Sequence, residues 1–184
     1  MIVQRRPSVV VETGFDTGRS ASAILEAMDV NGIGTLYSVE AFAAQIISHP
    51  RLQFKSGLSC EILPAIFMES GPWDFFLHDS DHEAWCQTYE YELALSFTKT
   101  GGVIATDDAE WGNHLAWQKF INRNNLPEPQ PCGCLRWFEK PSTARLIGSG
   151  SSWVEGEHLA ACKYADAVIQ QGPIHSTARP YPPE

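Results

Sequence analysis

The chain has no long apolar run. None of its 184 residues belongs to a stretch near the roughly 20 apolar residues that a membrane-spanning helix needs. It is short of positive charge, with 13 Lys and Arg against 22 Asp and Glu, a formal net charge of −9. Nucleic acid and anionic membrane surfaces recruit basic faces, so neither is expected as a partner. Cysteines are few and odd in number, at positions 60, 86, 132, 134 and 162, which excludes a simple disulfide framework. Cys132 and Cys134 share the tetrapeptide PCGC, yet no second Cys or His pair lies at ligand spacing, so a turn is expected there and not a zinc site. The N-terminal MIVQRRPSVVVE lacks the apolar length of a signal peptide, because Glu12 interrupts it after a run of valines. A cytoplasmic location is the resulting expectation. No internal repeat is present.

What is there reads as one globular domain. The hydrophobic fraction of 43% and charged fraction of 19% suffice for a buried core. Strand and helix signals alternate through the first two thirds. Val9–Glu12 is a β-branched run, and Ala21, Ile24, Leu25 and Met28 follow at helical spacing, stopping at Asn31–Gly32. Thr35–Val39 reads as a strand ending at Glu40, Leu52–Lys55 as a short strand, and Ser59–Glu69 as a helix with Pro64 near its first turn. Asp74–His78 is a further strand. Ser80 to Glu83 fits a capping box, so a helix is expected to start there, with Trp85, Tyr89, Leu93 and Phe97 as its buried stripe. Thr100–Gly102 reads as a turn, Val103–Thr106 as a strand, and Asn113–Asn124 as a helix with Leu115, Phe120 and Ile121 facing inward. The alternation predicts an α/β fold, a parallel sheet covered on both faces. Beyond Leu126 a proline-rich loop precedes one more strand, CLRWFEK. The signal then weakens, with a helix expected only within Trp153–Gln170. Residues 1–140 are therefore read as the domain and 141–184 as a C-terminal extension, weakly structured or oligomer-forming.

Two constellations bear chemistry. In ETGFDTG, Gly14 and Gly18 permit a tight turn and close backbone approach to a ligand, and the next helix offers its positive end. Glu40, at the end of the next strand, is placed to accept hydrogen bonds from ribose hydroxyls. Asp16 stands where dinucleotide enzymes have glycine. An acid there repels a pyrophosphate but suits a ligand carrying an ammonium or sulfonium. The second constellation is Asp79 with the pair Asp107–Asp108, at two strand ends expected to be neighbours. Crowded carboxylates need a counter-charge, and a hard divalent cation such as Mg²⁺ supplies it. Capping of the following helices is the alternative for these aspartates. His82, three residues past Asp79, is a candidate general base, and Trp111 lines either a substrate pocket or the core.

The segments VVVETGFDTGRSASAIL, GTLYSVE, WDFFLHDSDHEAW and GGVIATDDAEW, in that order, resemble the class I S-adenosylmethionine-dependent methyltransferases of the family 24 type, relatives of macrolide-sugar and catechol O-methyltransferases. The resemblance implies a Rossmann-like, mostly parallel seven-stranded sheet with helices on both faces. It implies S-adenosylmethionine held by Glu12, Gly14, Asp16, Gly18, Ser20, Glu40, Ala41, Gly57, Ser59 and Asp79, with adenine near Gly57–Ser59. It further implies Mg²⁺ on Asp79, Asp107 and Asp108, with His82 or Asp79 taking a proton from the acceptor. The expected reaction is methyl transfer to a hydroxyl of a small molecule such as a sugar or polyol. Little chain precedes the first strand, where relatives carry capping helices, so a homo-oligomer or the C-terminal segment is expected to cover the pocket. Two other readings remain, a cofactor-binding or assembly module of the same fold and a nicotinamide oxidoreductase.

Overall fold

Seven strands form one sheet in the order β3-β2-β1-β4-β5-β7-β6. The computed structural model of the chain describes residues 1–42, 45–107, 109 and 114–144. The helix expected within Trp153–Gln170, and nearly all of the extension from 141, lie outside the described residues, as do Asp108 and Trp111. The strands are β1 (Val9–Thr13), β2 (Thr35–Glu40), β3 (Leu52–Ser56), β4 (Trp73–His78), β5 (Thr98–Thr106), β6 (Gln130–Cys132) and β7 (Leu135–Glu139). The first five pair in parallel, and β7 runs antiparallel to both β5 and β6. This is the Rossmann-like sheet expected.

Side-chain alternation along the strands sorts the core into two layers. Val10, Leu36, Phe75, Leu77, Val103 and Ala105 face α2 (Arg19–Asn31) and the short α1 (Ile2–Arg5). Val11, Tyr37, Val39, Trp73, Phe76, Ile104 and Phe138 face α3 (Ser59–Ser70), α4 (Ala84–Phe97) and α5 (His114–Arg123). Because β1, β2, β4 and β5 are apolar on both faces, they read as continuous hydrophobic runs, as strands covered on both sides do.

The order places a topological switch between β1 and β4: from β1 the chain winds outward to β2 and β3, then returns to β4 and winds the other way. In such sheets the crevice at the carboxyl ends beside the switch is where ligands bind. Here it is formed by Gly14 after β1 and Asp79 after β4. The two are in close contact, for a Cβ on Gly14 would stand 1.9 Å from the Asp79 carbonyl oxygen, and Gly14 holds φ at +88°. No other residue fits.

Five local expectations are corrected. The capping box does not form: α4 begins at Ala84 with no side-chain cap, because the Ser80 hydroxyl is drawn away to Glu90 on α4 itself. Its buried face is also wider than the expected stripe. Trp85, Leu93 and Phe97 are half-buried, while Cys86, Gln87, Glu90, Tyr91, Glu92, Ala94 and Leu95 are buried with Tyr89. Pro64 lies well inside α3, past its first turn. The carbonyl of Cys60, which Pro64 has no N–H to satisfy, instead accepts the Tyr89 hydroxyl at 3.1 Å. Thr100–Gly102 belongs to β5, which runs unbroken from Thr98, since Gly101 and Gly102 exchange backbone hydrogen bonds with Lys140. On α5, Leu115 is 56% exposed, and Ala116 and Trp117 join Phe120 and Ile121 in the core.

Candidate active site

The carboxyl edge of β1, β2 and β4 gathers most of the residues singled out from the sequence. After β1 the chain turns through Gly14, Phe15 and Asp16, the last at φ +40°, and enters α2 at Gly18, φ +74°, with no side-chain cap. The Glu40 carboxylate, at the end of β2, organises that turn. Its Oε2 accepts the N–H of Phe15 and of Asp16, each at 3.1 Å, and its Oε1 accepts the N–H of Phe42 at 3.0 Å. Three donors on one carboxylate make a strong local anchor. Ala41 follows directly and is half-buried, and Asp16 is exposed. The Gly57 N–H donates to the Glu40 carbonyl at 2.9 Å, which brings the end of β3 to the same edge. A Cβ on Gly18 would press on Ile47 and Phe15, so the loop after β2 lies against the start of α2.

Glu12 is completely buried beneath this turn, on the face of the sheet that packs against α2. Its Oε2 accepts the Ser38 hydroxyl at 2.7 Å, and its Oε1 has no hydrogen-bond partner among the described residues. Burial pushes its carboxyl up to about 7, against the hydrogen bonds from Ser20 and Ser38 that favour the anion. Ser20 thus acts on Glu12 from the first turn of α2.

The second constellation is partly assembled. His78 pairs with Thr106 in register, the Asp79 N–H bonds to the Thr13 carbonyl, and the Asp107 N–H bonds to the His78 carbonyl, each of the last two at 2.9 Å. Asp79 and Asp107 therefore follow adjacent strands at one level of the sheet edge. Among the described residues no group of three or more His, Cys, Asp or Glu is arranged to hold a metal ion. The third expected carboxylate, Asp108, lies outside them. His82 sits in the loop before α4 and not in its first turn, with Nδ1 3.4 Å from the Gln87 side-chain nitrogen and its ring perpendicular to that of His78 at 6.0 Å.

Sequence reasoning missed the group that ties this edge together. Glu90 on α4 is completely buried. Its Oε2 accepts the Thr13 hydroxyl at 2.5 Å and Nδ1–H of His78 at 2.7 Å, and its Oε1 accepts the Ser80 hydroxyl at 2.8 Å and the Cys86 thiol at 3.6 Å. Burial pushes Glu90 up, but His78 and the hydrogen bonds from His78, Ser59 and Thr13 more than offset it and hold the carboxyl below its usual range. Ser59, expected at adenine, thus bears on Glu90. The available signal was a charged residue on the inward face of an apolar helix, opposite a histidine at the end of the apolar strand WDFFLH. Buried charges come in pairs.

Residues 11–109, more than half the chain, match the family described as a methyltransferase domain. Among curated proteins none matches. Solved structures of similar fold include MycE, the methyltransferase of the mycinamycin biosynthetic pathway, in complex with Mg, SAH and mycinamycin VI, at 16% identity and TM-score 0.59, covering 78% of this chain and 46% of that one. The O-methyltransferase from Bacillus cereus in complex with SAH is 18% identical, TM-score 0.55, covering 76% of this chain and 77% of that one. TomG, an O-methyltransferase from Streptomyces achromogenes involved in tomaymycin synthesis, in complex with SAM, is 14% identical, TM-score 0.60, covering 77% and 76%. The chain spans about half the length of MycE. At these identities the likeness establishes the fold.

Proposed function

This chain belongs to the methyltransferase-domain family, and we propose that it moves the methyl group of S-adenosylmethionine to a hydroxyl of a small hydroxylated molecule, such as a sugar or polyol, with Mg²⁺ assisting. The observation that carries the reading is Glu12. A carboxylate buried two residues before the glycine turn, its proton retained up to about pH 7, has one oxygen unpartnered and no counter-charge beside it among the described residues. The ammonium of the cofactor's methionine portion supplies one. Glu40 accepts the ribose hydroxyls from the same edge. Asp79 and Asp107 offer hard oxygen donors that fit Mg²⁺, and Asp108 stands next in the chain as a third. When bound, the cofactor supplies an electrophilic methyl group and Mg²⁺ lowers the pKa of the acceptor hydroxyl.

The chain's own residues then position and deprotonate. Gly14 lets the cofactor turn lie directly against Asp79, so methyl donor and acceptor site share one crevice. His82, in the loop before α4, takes the acceptor's proton; Asp79 is the alternative base. The proposal has residues 1–140 as the catalytic domain of a cytoplasmic homo-oligomer, with 141–184 as an extension.

Calorimetric titration with S-adenosylhomocysteine between pH 5.5 and 8 tests the reading. Binding needs ionised Glu12, so affinity should rise by up to about tenfold per pH unit toward pH 7 and level off above it. Glu12→Gln should flatten the curve. A flat curve in the unmodified protein takes Glu12 out of the site. Mg²⁺ should raise the melting temperature, and Asp107→Ala should abolish that rise. With an acceptor in hand, His82→Ala should lower turnover by roughly 10²–10⁴-fold. Cofactor binding without turnover on any diol or sugar would make the chain a cofactor-binding module.

A further inference from the structure

We propose that Glu90 is the positioning residue of this site, holding the cofactor turn after β1 and the carboxylate-bearing end of β4 in one fixed arrangement through Thr13, His78 and Ser80. The inference rests on reading Gly14 as the cofactor turn and Asp79 as a metal ligand.

The three shortest contacts of Glu90 end beside those two residues. Thr13 immediately precedes Gly14; His78 and Ser80 flank Asp79 on either side. One carboxylate accepts from all three at 2.5–2.8 Å. Each strand end is thereby tied to α4 and, through α4, to the other. The backbone repeats the tie, since the Asp79 N–H bonds to the Thr13 carbonyl at 2.9 Å. Ser59 adds the first turn of α3, and Tyr91, against the His78 ring at 5.0 Å and bonded to Thr106 at 2.8 Å, adds the end of β5 just before Asp107. The ends of β1 and β4 and the first turn of α3 converge on one side chain, and the end of β5 is linked to it through Tyr91 and His78. An apolar residue at 90 would fill the volume and bury no charge. The anion is worth its desolvation only for what it fixes, because a carboxylate accepts several donors at once in directions that no apolar group or single amide reproduces.

Glu90→Gln keeps size and removes the charge. Two readouts separate positioning from mere stability. Hydrogen exchange at the Asp79 and Gly14 amides, which bond to the Thr13 and Val39 carbonyls, should quicken by roughly tenfold or more, and it needs no ligand. Affinity for S-adenosylhomocysteine, and for Mg²⁺ followed by its thermal shift, should fall by roughly 10–100-fold, the usual effect of losing a supporting partner. Glu92→Gln is the control. Glu92 is buried on the same helix but is bonded to Arg123 and Asn124 around the end of α5, so its loss should lower stability and leave both readouts unchanged. If Glu90→Gln does not fold, Thr13→Val and Ser80→Ala each cut one tie and leave His78 on Glu90. Thr13→Val should quicken exchange at Gly14 more than Ser80→Ala does. Unchanged exchange and affinity in Glu90→Gln, or equal losses in Glu92→Gln, overturn the proposal. Should the unmodified protein bind no S-adenosylhomocysteine while exchange behaves as expected, the tie stands and the cofactor reading falls.

Discussion

Glu12 and Glu90 are both fully buried carboxylates at the same edge of the same sheet, yet they are shifted in opposite directions. They lie on opposite faces. Glu12 points toward α2, where, among the described residues, Ser38 and Ser20 are its partners and one oxygen has none. Glu90 points toward β1 and β4, where a histidine, two hydroxyls and a thiol converge on it. Burial alone raises a carboxyl; partners alone lower it. The comparison separates a carboxylate with both oxygens partnered, which holds structure, from one with an oxygen left over among the described residues, the oxygen to which the proposed function assigns the cofactor's ammonium.

The sharpest way to break the comparison is to make the second cluster resemble the first. His78→Leu removes the partner that most favours the Glu90 anion and should destabilise the protein by about 3–5 kcal/mol in urea unfolding, the cost of an uncompensated buried charge. A loss under about 1 kcal/mol would mean that the hydroxyls suffice.

Glu12 predicts the opposite sign. Its folded pKa of about 7 stands above the usual 4.5, so the stability linked to its proton is present below pH 4.5 and lost as pH rises through 7. Glu12→Gln carries no such proton and should be more stable than the parent at pH 8 by up to about 3 kcal/mol, with no gain near pH 4.5. Equal stabilities at both pH values would refute the shift.

The acid limb sharpens the contrast. The depressed pKa of Glu90 contributes stability that is present above 4.5 and lost as pH falls through the folded value. Acid unfolding below pH 4.5 should be less steep in Glu90→Gln than in the parent, and a superimposable acid limb would refute it.

The smallest effect concerns a neutral tie on the Glu90 face. Tyr89→Phe leaves the buried Cys60 carbonyl without the hydroxyl that replaces the N–H absent from Pro64. It should cost about 1–3 kcal/mol in thermal unfolding, with cofactor affinity unchanged. A change in affinity would mean that the Tyr89–Cys60 bond, and not Ser59 alone, ties α3 to the site.

The sequence by itself determined the alternation of strands and helices, the glycine turn and the strand-end carboxylates. Each is a local signal: β-branched runs before glycine, helical spacing in Ala21–Met28, and the positive φ that Gly14 requires. What only the tertiary structure decided is which of those groups meet. Ser80 looked like a helix cap because cap and chain are neighbours in sequence, yet its hydroxyl goes to Glu90, ten residues on. Glu40 looked like a ribose ligand alone and also fastens the turn 24 residues before it. Glu90 looked like one more helix residue, because nothing in α4 announces that Thr13, 77 positions away, will donate to it. Local propensity acts over a few residues, whereas the charge balance of a buried carboxylate depends on groups brought together only when the sheet closes.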